Sequence, residues 1–409
     1  MNKVFICPSN IKSKSEISIT GSKSESNRLL IINALYSNVE LSNLSNSDDT
    51  KVLIKSLSNL NDEIDIHHAG TAMRFLTAFL AQIQNREFII TGSDRMQERP
   101  IGILVDSLNE LGFEVRYIGK KGFPPLKILG KKNIKSEIKL NSTVSSQYIS
   151  ALMLIAPSLE NGLKIILEGQ IISKPYIILT LNILKKIGVN CTFKKNIIEI
   201  KNHSKSQISE YTVESDWSSA SYFYSIVSLL DNTTIVLSSF FDNSFQGDSK
   251  VSKIYESFGV KTTYKENTIH LTKMKNYSKP DSLEFDLLEN PDLAQTISVT
   301  AMCMGIPLIL TGLQTLKIKE TDRIIALKNE LSKLGANVDY NENSISINPP
   351  NKLNENINIK TYDDHRMALS FSPVGLIMPI YIEDYNVVSK SYPDYWSDLK
   401  SIGFNIEFQ

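Results

Sequence analysis

Six of the eight arginines in this 409-residue chain, Arg28, Arg74, Arg95, Arg99, Arg323 and Arg366, fall inside short polar motifs beside Gly, Ser, Asp or Glu. Elsewhere lysine supplies nearly all of the 44 basic residues. A guanidinium is a rigid, permanently charged fork, so arginines placed this selectively point to recognition of carboxylate or phosphate. Ion pairs at helix ends are the plainer, lesser reading for any single one.

The motifs around them stand at entrances to helical segments. The loop Gly21-Ser22-Lys23-Ser24-Glu25-Ser26-Asn27-Arg28 is not a Walker A loop, yet it gathers hydroxyls, Lys23 and Arg28 where free backbone N–H groups favour an anion. His68-Ala69-Gly70-Thr71-Ala72-Met73-Arg74 brings Gly70, which lets a ligand approach the backbone, or simply a Thr N-cap. Arg99 precedes Pro100, which favours an extended residue before it, so its fork faces inward or pairs with Asp94 or Glu98. Ser145-Ser146-Gln147 and Ser173-Lys174-Pro175-Tyr176 add hydroxyls, an amide, an ammonium and a phenol, suited to a hydroxylated, phosphorylated ligand. The second half sets acids beside bases: Pro291-Asp292, Lys319-Glu320-Thr321-Asp322-Arg323, Asp363-Asp364-His365-Arg366, and Lys390 before SYPDYW. Such packing suits proton transfer among phosphate-binding cations, or a structural ion network.

Two series of helices must carry these motifs. SNRLLIINAL, TAMRFLTAFLA, SQYISALMLIA, SSASYFYSIVSLL, LAQTISVTAMC and DHRMALSFSPVGL are apolar almost all round and predict buried helices. ILVDSLNELGFEV, ILTLNILKKIGVNC, VSKIYESFGVKT, IIALKNELSKLGANV and YWSDLKSIGFNI are one-sided. They close at Gly112, Gly188, Gly259, Gly335 and Gly403, with TKVLIKSLSNLNDEI as an earlier copy ending at Asn61. Strands are expected at EISIT, EFIITG, LKIILEG, NIIEI, TIVLSSF, TIHLT, PLILTG and SISINP. Six α/β units exceed one core, so three per globule are expected, divided near Val213 to Asp216. The polar helix ends would then gather on one face of each globule and oppose one another across a hinge, making a trap for polyanions.

Composition narrows the partners. Forty-four basic against forty-four acidic residues leave zero formal charge, which offers no global field for nucleic acid or an anionic membrane. Cys7, Cys191 and Cys303 stand too far apart for a disulfide framework or metal spacing, and the five histidines form no HExxH-like pair. The expectation is a cytoplasmic, monomeric protein without metal or cofactor. MNKVFICPSN lacks a signal-peptide core, and the longest apolar run, residues 297–312, is cut by Thr300, Gly305 and Pro307.

Taken together, GSKSxSNR, AGTAMR, RMxERPI, SSQ, SKPY, PD, KETDR, DHRMA and KxxPDY, in this order, resemble the 5-enolpyruvylshikimate-3-phosphate synthases from about residue 16 onward. The resemblance implies an inverted α/β barrel architecture of two globules with three βαβαββ-type units each. Residues 22–213 would form one globule, mainly for shikimate 3-phosphate. Residues 1–21 and 214–409 would form the other, mainly for phosphoenolpyruvate and the acid/base groups. It further implies transfer of the enolpyruvyl group of phosphoenolpyruvate to the 5-hydroxyl of shikimate 3-phosphate, with loss of phosphate. By motif, Lys23, Ser24, Arg28, Ser145, Ser146, Gln147, Ser173, Tyr176, Asp292, Thr315 and Lys319 would hold shikimate 3-phosphate. Lys23, Gly70, Arg99, Gln147, Arg323, Arg366 and Lys390 would hold phosphoenolpyruvate. Asp292 would be the base, Glu320 the proton donor, and Lys23 and His365 assisting groups. The chain departs from the family at His68, at Thr315, where an Asn is common, and at Phe75, where Pro is common. UDP-N-acetylglucosamine enolpyruvyl transferase is the nearest alternative, but its reactive cysteine has no counterpart near Gln97 and Glu98. A terminal-phosphate cyclase would need a basic balance, and a non-catalytic anion-binding protein would have no use for Asp292 or Glu320.

Overall fold

The computed structural model describes residues 2–8, 10–36, 39–141, 145–169 and 171–409. The chain packs into two compact units, one of Gly21–Val213 and one of Met1–Thr20 with Glu214–Gln409. Each is built the same way, with helices inside and sheets outside.

In the unit Gly21–Val213, the helices Lys23–Tyr36, Gly70–Ala81 and Ser146–Ile155 pack on one another. They are the expected all-round apolar segments. Eleven of the twelve residues of Gly70–Ala81 are buried, and each fully enclosed Leu or Phe there contributes roughly 1.5–3 kcal/mol. The sheets cover them with alternate residues, as in Glu137–Asn141, where Ile138 and Leu140 face inward. Glu63–Asp65 runs parallel to Glu87–Thr91, which pairs antiparallel with Leu126–Leu129, and Leu126–Leu129 in turn pairs antiparallel with Glu114–Tyr117. The sheet of Glu137–Asn141, Leu163–Glu168, Ile197–Ile200 and Cys191–Lys194 repeats that order.

In the other unit the inner helices are Trp217–Ser228, Ala294–Cys303 and His365–Phe371. Their buried hydroxyls satisfy one another across the core: Ser221 with Thr296 at 3.2 Å, Thr296 with Ser370 at 3.2 Å, and Thr300 with Ser225 at 2.7 Å. Leu283–Asp286, Leu308–Thr311, Ile345–Asn348 and Asn337–Tyr340 repeat the four-strand order unaided. The amino-terminal segment completes the other two sheets. Lys14–Ile17 lies parallel to Thr234–Ser238, and Lys3–Cys7 lies antiparallel between Ile380–Glu383 and Asn405–Phe408.

The five glycines at the ends of the outer helices, Gly112, Gly188, Gly259, Gly335 and Gly403, all have φ between 78° and 113°, the left-handed stop that glycine allows. The early sixth copy differs. Helix Asp48–Ser58 ends at Asn59 with φ −132°, not at Asn61, and the chain runs on into Glu63–Asp65 without a closing hairpin. That repeat keeps only the parallel pair Glu40–Ser42 with Glu210–Thr212. Two further details depart from expectation. DHRMALSFSPVGL is helical only over His365–Phe371, since Pro373 tightens the rest into the 3₁₀ segment Ser372–Leu376. VSKIYESFG is split between a short helix, Val251–Ile254, and the 3₁₀ turn Tyr255–Phe258.

Candidate active site

In the unit that ends the chain, the acid and base motifs converge on Asp292. It lies in the 3₁₀ turn Pro291–Leu293 that enters the buried helix Ala294–Cys303. Its Oδ1 receives Arg323 at 2.7 Å and Lys319 Nζ at 3.2 Å, and its Oδ2 faces Arg366 at 3.4 Å. Burial alone would raise this carboxyl. Lys319, Arg366 and Arg323 overcome that and hold it well below the usual carboxylate range.

Arg323 is the hub. Only 1% exposed, it gives Nε to Asp364 at 2.6 Å, one terminal nitrogen to Asp292, and the other to Glu320 at 2.9 Å. Burial would depress its pKa, but Asp364, Glu320 and Asp292 drive it higher still. The helix Arg323–Lys333 starts there because Asp322 caps it, accepting from the N–H groups of Ile324 and Ile325. Asp364 caps the next inner helix in the same way, accepting from Arg366 N at 2.9 Å. His365 is buried, its Nδ1 3.8 Å from Asp364. Lys390 donates to the Asp363 carbonyl at 2.7 Å. Thr315 is buried in the 3₁₀ turn Gln314–Ile318, four residues ahead of Lys319, and its hydroxyl has no partner among the described residues.

The unit Gly21–Val213 holds the remaining motifs, and its forks are treated differently. Lys23 and Ser24 open the helix Lys23–Tyr36 half-buried, with Lys23 Nζ 3.6 Å from Asp49. Arg28, one turn on and 2% exposed, bonds Thr180 at 2.7 Å, Ser150 at 3.0 Å and the Ser24 carbonyl at 2.6 Å. It also lies over the rings of Phe75 and Tyr176. Burial among these neutral groups pulls its pKa down to about 10. Arg99 packs its guanidinium against Gly70 so closely that a Cβ there would meet its terminal nitrogen at 2.5 Å. Glu98 pairs instead with Arg95, at 2.9 Å. Gly70 opens its helix behind Ala69, without a side-chain cap, so Thr71 is left to Gln147, whose Nε2 stands 3.5 Å from its hydroxyl. Ser145 caps the helix Ser146–Ile155, with its hydroxyl accepting from Gln147 N. Ser173 precedes Lys174–Lys186 in a left-handed conformation, φ 54°, and offers no cap bond. Tyr176 stands in the first turn, half-buried.

The family model of EPSP synthase, the 3-phosphoshikimate 1-carboxyvinyltransferase, matches residues 58–399. The chain belongs to the EPSP synthase family. It is 46% identical over 411 residues to the 3-phosphoshikimate 1-carboxyvinyltransferase of Bacteroides fragilis strain YCH46, covering all of this chain and 99% of that protein. It is 35% identical to that of Colwellia psychrerythraea, over 96% of this chain and 97% of the relative. A solved EPSP synthase from Acinetobacter baumannii shares the fold with a TM-score of 0.82 at 21% identity, over the full length of both chains. Cations and helix entrances concentrate at the motifs in both units. Arg74, by contrast, spends its fork on the carbonyls of Gly70 and Pro100. The departure His68 is exposed, its Nδ1 2.7 Å from the Ser93 hydroxyl.

Several partners in the site carry no mark of that role in the sequence. Asp364 stands in a charged motif, but nothing local marks it as the main anchor of Arg323. Asp248 is buried 30 residues from the nearest motif residue it touches: it accepts a short hydrogen bond from Ser218, whose hydroxyl also faces Arg366 at 3.4 Å. Burial, and then the charge of Asp292, raise its pKa. Ser150 and Thr180 read as ordinary helix residues, and no local pattern marks them as partners of Arg28.

Proposed function

We infer that this chain transfers the enolpyruvyl group of phosphoenolpyruvate to the 5-hydroxyl of shikimate 3-phosphate and releases phosphate. The reading is supported most by one observation, the Asp292 carboxylate under three cations at the entrance of a buried helix. An anion-binding site alone would have no use for a carboxylate at its centre.

Lys23, Ser24, Arg28, Ser145, Ser146, Gln147, Ser173 and Tyr176, with Asp292, Thr315 and Lys319, bind shikimate 3-phosphate in this proposal. Gly70, Arg99, Arg323, Arg366 and Lys390, again with Lys23 and Gln147, bind phosphoenolpyruvate. Glu320 delivers a proton to the methylene carbon. The neighbouring carbon becomes electrophilic, the 5-hydroxyl oxygen attacks it, and Asp292 takes the hydroxyl proton. The tetrahedral intermediate then expels phosphate, and the Glu320 carboxylate takes a methyl proton back as the double bond is restored. Lys23 and His365 assist as charge changes at the reacting atoms.

A carboxylate held well below its usual range is a weak base. Substrate anions relieve this. Phosphate and carboxylate groups share Lys319, Arg323 and Arg366 with Asp292, so its proton affinity rises when the substrates arrive. The protein acts as a monomer in the cytoplasm; its three cysteines form no disulfide, and no described helix is long and apolar enough to cross a membrane.

The test is phosphate release from phosphoenolpyruvate with either shikimate 3-phosphate or UDP-N-acetylglucosamine as acceptor. Release only with the former is expected. Release only with the latter would move the chain to the other transferase, and release with neither would defeat both readings.

A further inference from the structure

The turn that delivers His365 and Arg366 has a backbone its sequence does not favour. Tyr362 and Asp363 stand at φ 55° and 56°, and Asp364 N donates to the Thr361 carbonyl at 2.9 Å. Two consecutive positive φ values inside such a bond mark a type I′ turn, whose central places ordinarily go to Asn-Gly or Asp-Gly. An aromatic residue there is a strong outlier. Something outside the turn must hold it.

Glu330 is the group placed to do so. It is 0% exposed on the helix Arg323–Lys333, two turns beyond Arg323 and on the same face. One carboxylate oxygen accepts from the Tyr362 hydroxyl at 2.6 Å. The other accepts from Lys360 N at 3.0 Å and Lys333 Nζ at 2.6 Å. Burial, and then the bond to Glu330, push the Tyr362 hydroxyl up to about 12, so it remains a donor at neutral pH. From the far side, Lys390 donates to the Asp363 carbonyl, and Arg323 grips Asp364. One helix thus holds the turn at both ends, and the turn's own carbonyl fixes Lys390.

We propose that Glu330 is a positioning residue: by gripping Lys360 N and the Tyr362 hydroxyl it sets the left-handed turn that aims Arg366 and Lys390 at phosphoenolpyruvate. This rests on the reading that those two cations hold that substrate. Glu330 itself touches neither substrate.

Glycine adopts positive φ without a clamp, and Asp363 is exposed, which gives the test its discriminating arm. Glu330→Gln should raise KM for phosphoenolpyruvate about tenfold, the scale of one lost charge-assisted hydrogen bond, while KM for shikimate 3-phosphate changes little. Adding Asp363→Gly should return the phosphoenolpyruvate KM most of the way to that of the parent. A merely structural Glu330 would lower thermal stability, leave both KM values unchanged and gain no kinetic rescue from glycine; that result, or an equal rise in both KM values, overturns the proposal. If Glu330→Gln does not fold, Tyr362→Phe removes one grip alone and should show the same split at about threefold; its absence counts against the clamp. Lys390→Ala, measured in parallel, separates the premises. No effect of Lys390→Ala on phosphoenolpyruvate KM would sink the substrate assignment, whereas an effect there with none from Glu330→Gln or Tyr362→Phe would sink the clamp alone.

Discussion

Arg28 and Arg323 are equally buried, yet the protein treats them in opposite ways. Arg28, in the unit Gly21–Val213, bonds hydroxyls and carbonyls and keeps its charge largely uncancelled, so burial lowers its pKa. Arg323 bonds three carboxylates, and they drive its pKa upward despite burial. A fork set among neutral acceptors leaves a net positive field for an anionic ligand. One set among carboxylates orders acids and sets their proton affinity. The difference teaches that arginines alike in sequence differ in how far their charge is already cancelled, according to what surrounds them.

Substitutions can break that distinction, and the largest effect is expected at the acids. Asp292→Ala should cut kcat by about 10²–10⁴-fold, the usual worth of a general base, with phosphoenolpyruvate binding retained in calorimetry. Weakened binding with normal turnover would remove Asp292 from the chemistry. The depressed carboxyl also carries a pH signature. Its folded pKa lies below the unfolded value near 3.9, so its stabilising effect is present above that value and disappears as pH falls through the folded one. In rate profiles, the acid limb of kcat should lie at higher pH than any limb of kcat/KM assigned to Asp292, because substrates draw the cations away from it. Coincident limbs would contradict that sharing.

Next comes the hub. Arg323→Lys removes the planar fork from three carboxylates and should cost about 3 kcal/mol in denaturant unfolding. Arg28→Lys, which strands only neutral acceptors, should cost about 2 kcal/mol. Equal costs would mean that the carboxylate surroundings add nothing. A smaller effect is expected at Gly70→Ala. Its Cβ would displace the Arg99 guanidinium and raise the phosphoenolpyruvate KM about tenfold without loss of stability, so an unchanged KM would show that Arg99 is not held there for this ligand.

The smallest effect lies away from the site. Burial raises Asp398 to about 6, against the opposing hydrogen bond from the Tyr392 hydroxyl. A raised carboxyl favours folding below its unfolded pKa and loses that contribution as pH climbs from about 4 to 6. Asp398→Asn should therefore stabilise the protein by about 1 kcal/mol at pH 7, after allowing for solvent screening, and by little at pH 4. A gain at pH 4 instead would reverse the sign and refute the shift.

Periodicity made the helices and most strands readable, because a helix apolar on every side can only be buried and a glycine after a one-sided helix can only end it. It failed where the deciding contact was distant. Nothing near Asn59 announced that the first repeat would lack its hairpin. Nothing near Lys3–Cys7 announced that it would fill a sheet between strands almost four hundred residues away. The site divides along the same line. Lys23, Arg99, Asp292, Lys319, Arg323 and Arg366 stand out as candidates because charge in a short polar motif is a local property of the chain.

What the amino-acid order determined by itself is therefore the inventory: which charges exist, which helices are inner, and which family the motifs belong to. Only the folded chain decided which acid faces which base. That choice, together with burial, set the direction of these shifts: Asp292 is lowered under three cations, while Asp248 is raised by burial and then by Asp292, and Tyr362 by burial and then by Glu330 from another helix. Electrostatic energy depends on separations of a few ångströms and on the exclusion of water, and neither quantity exists until residues remote along the chain have packed together.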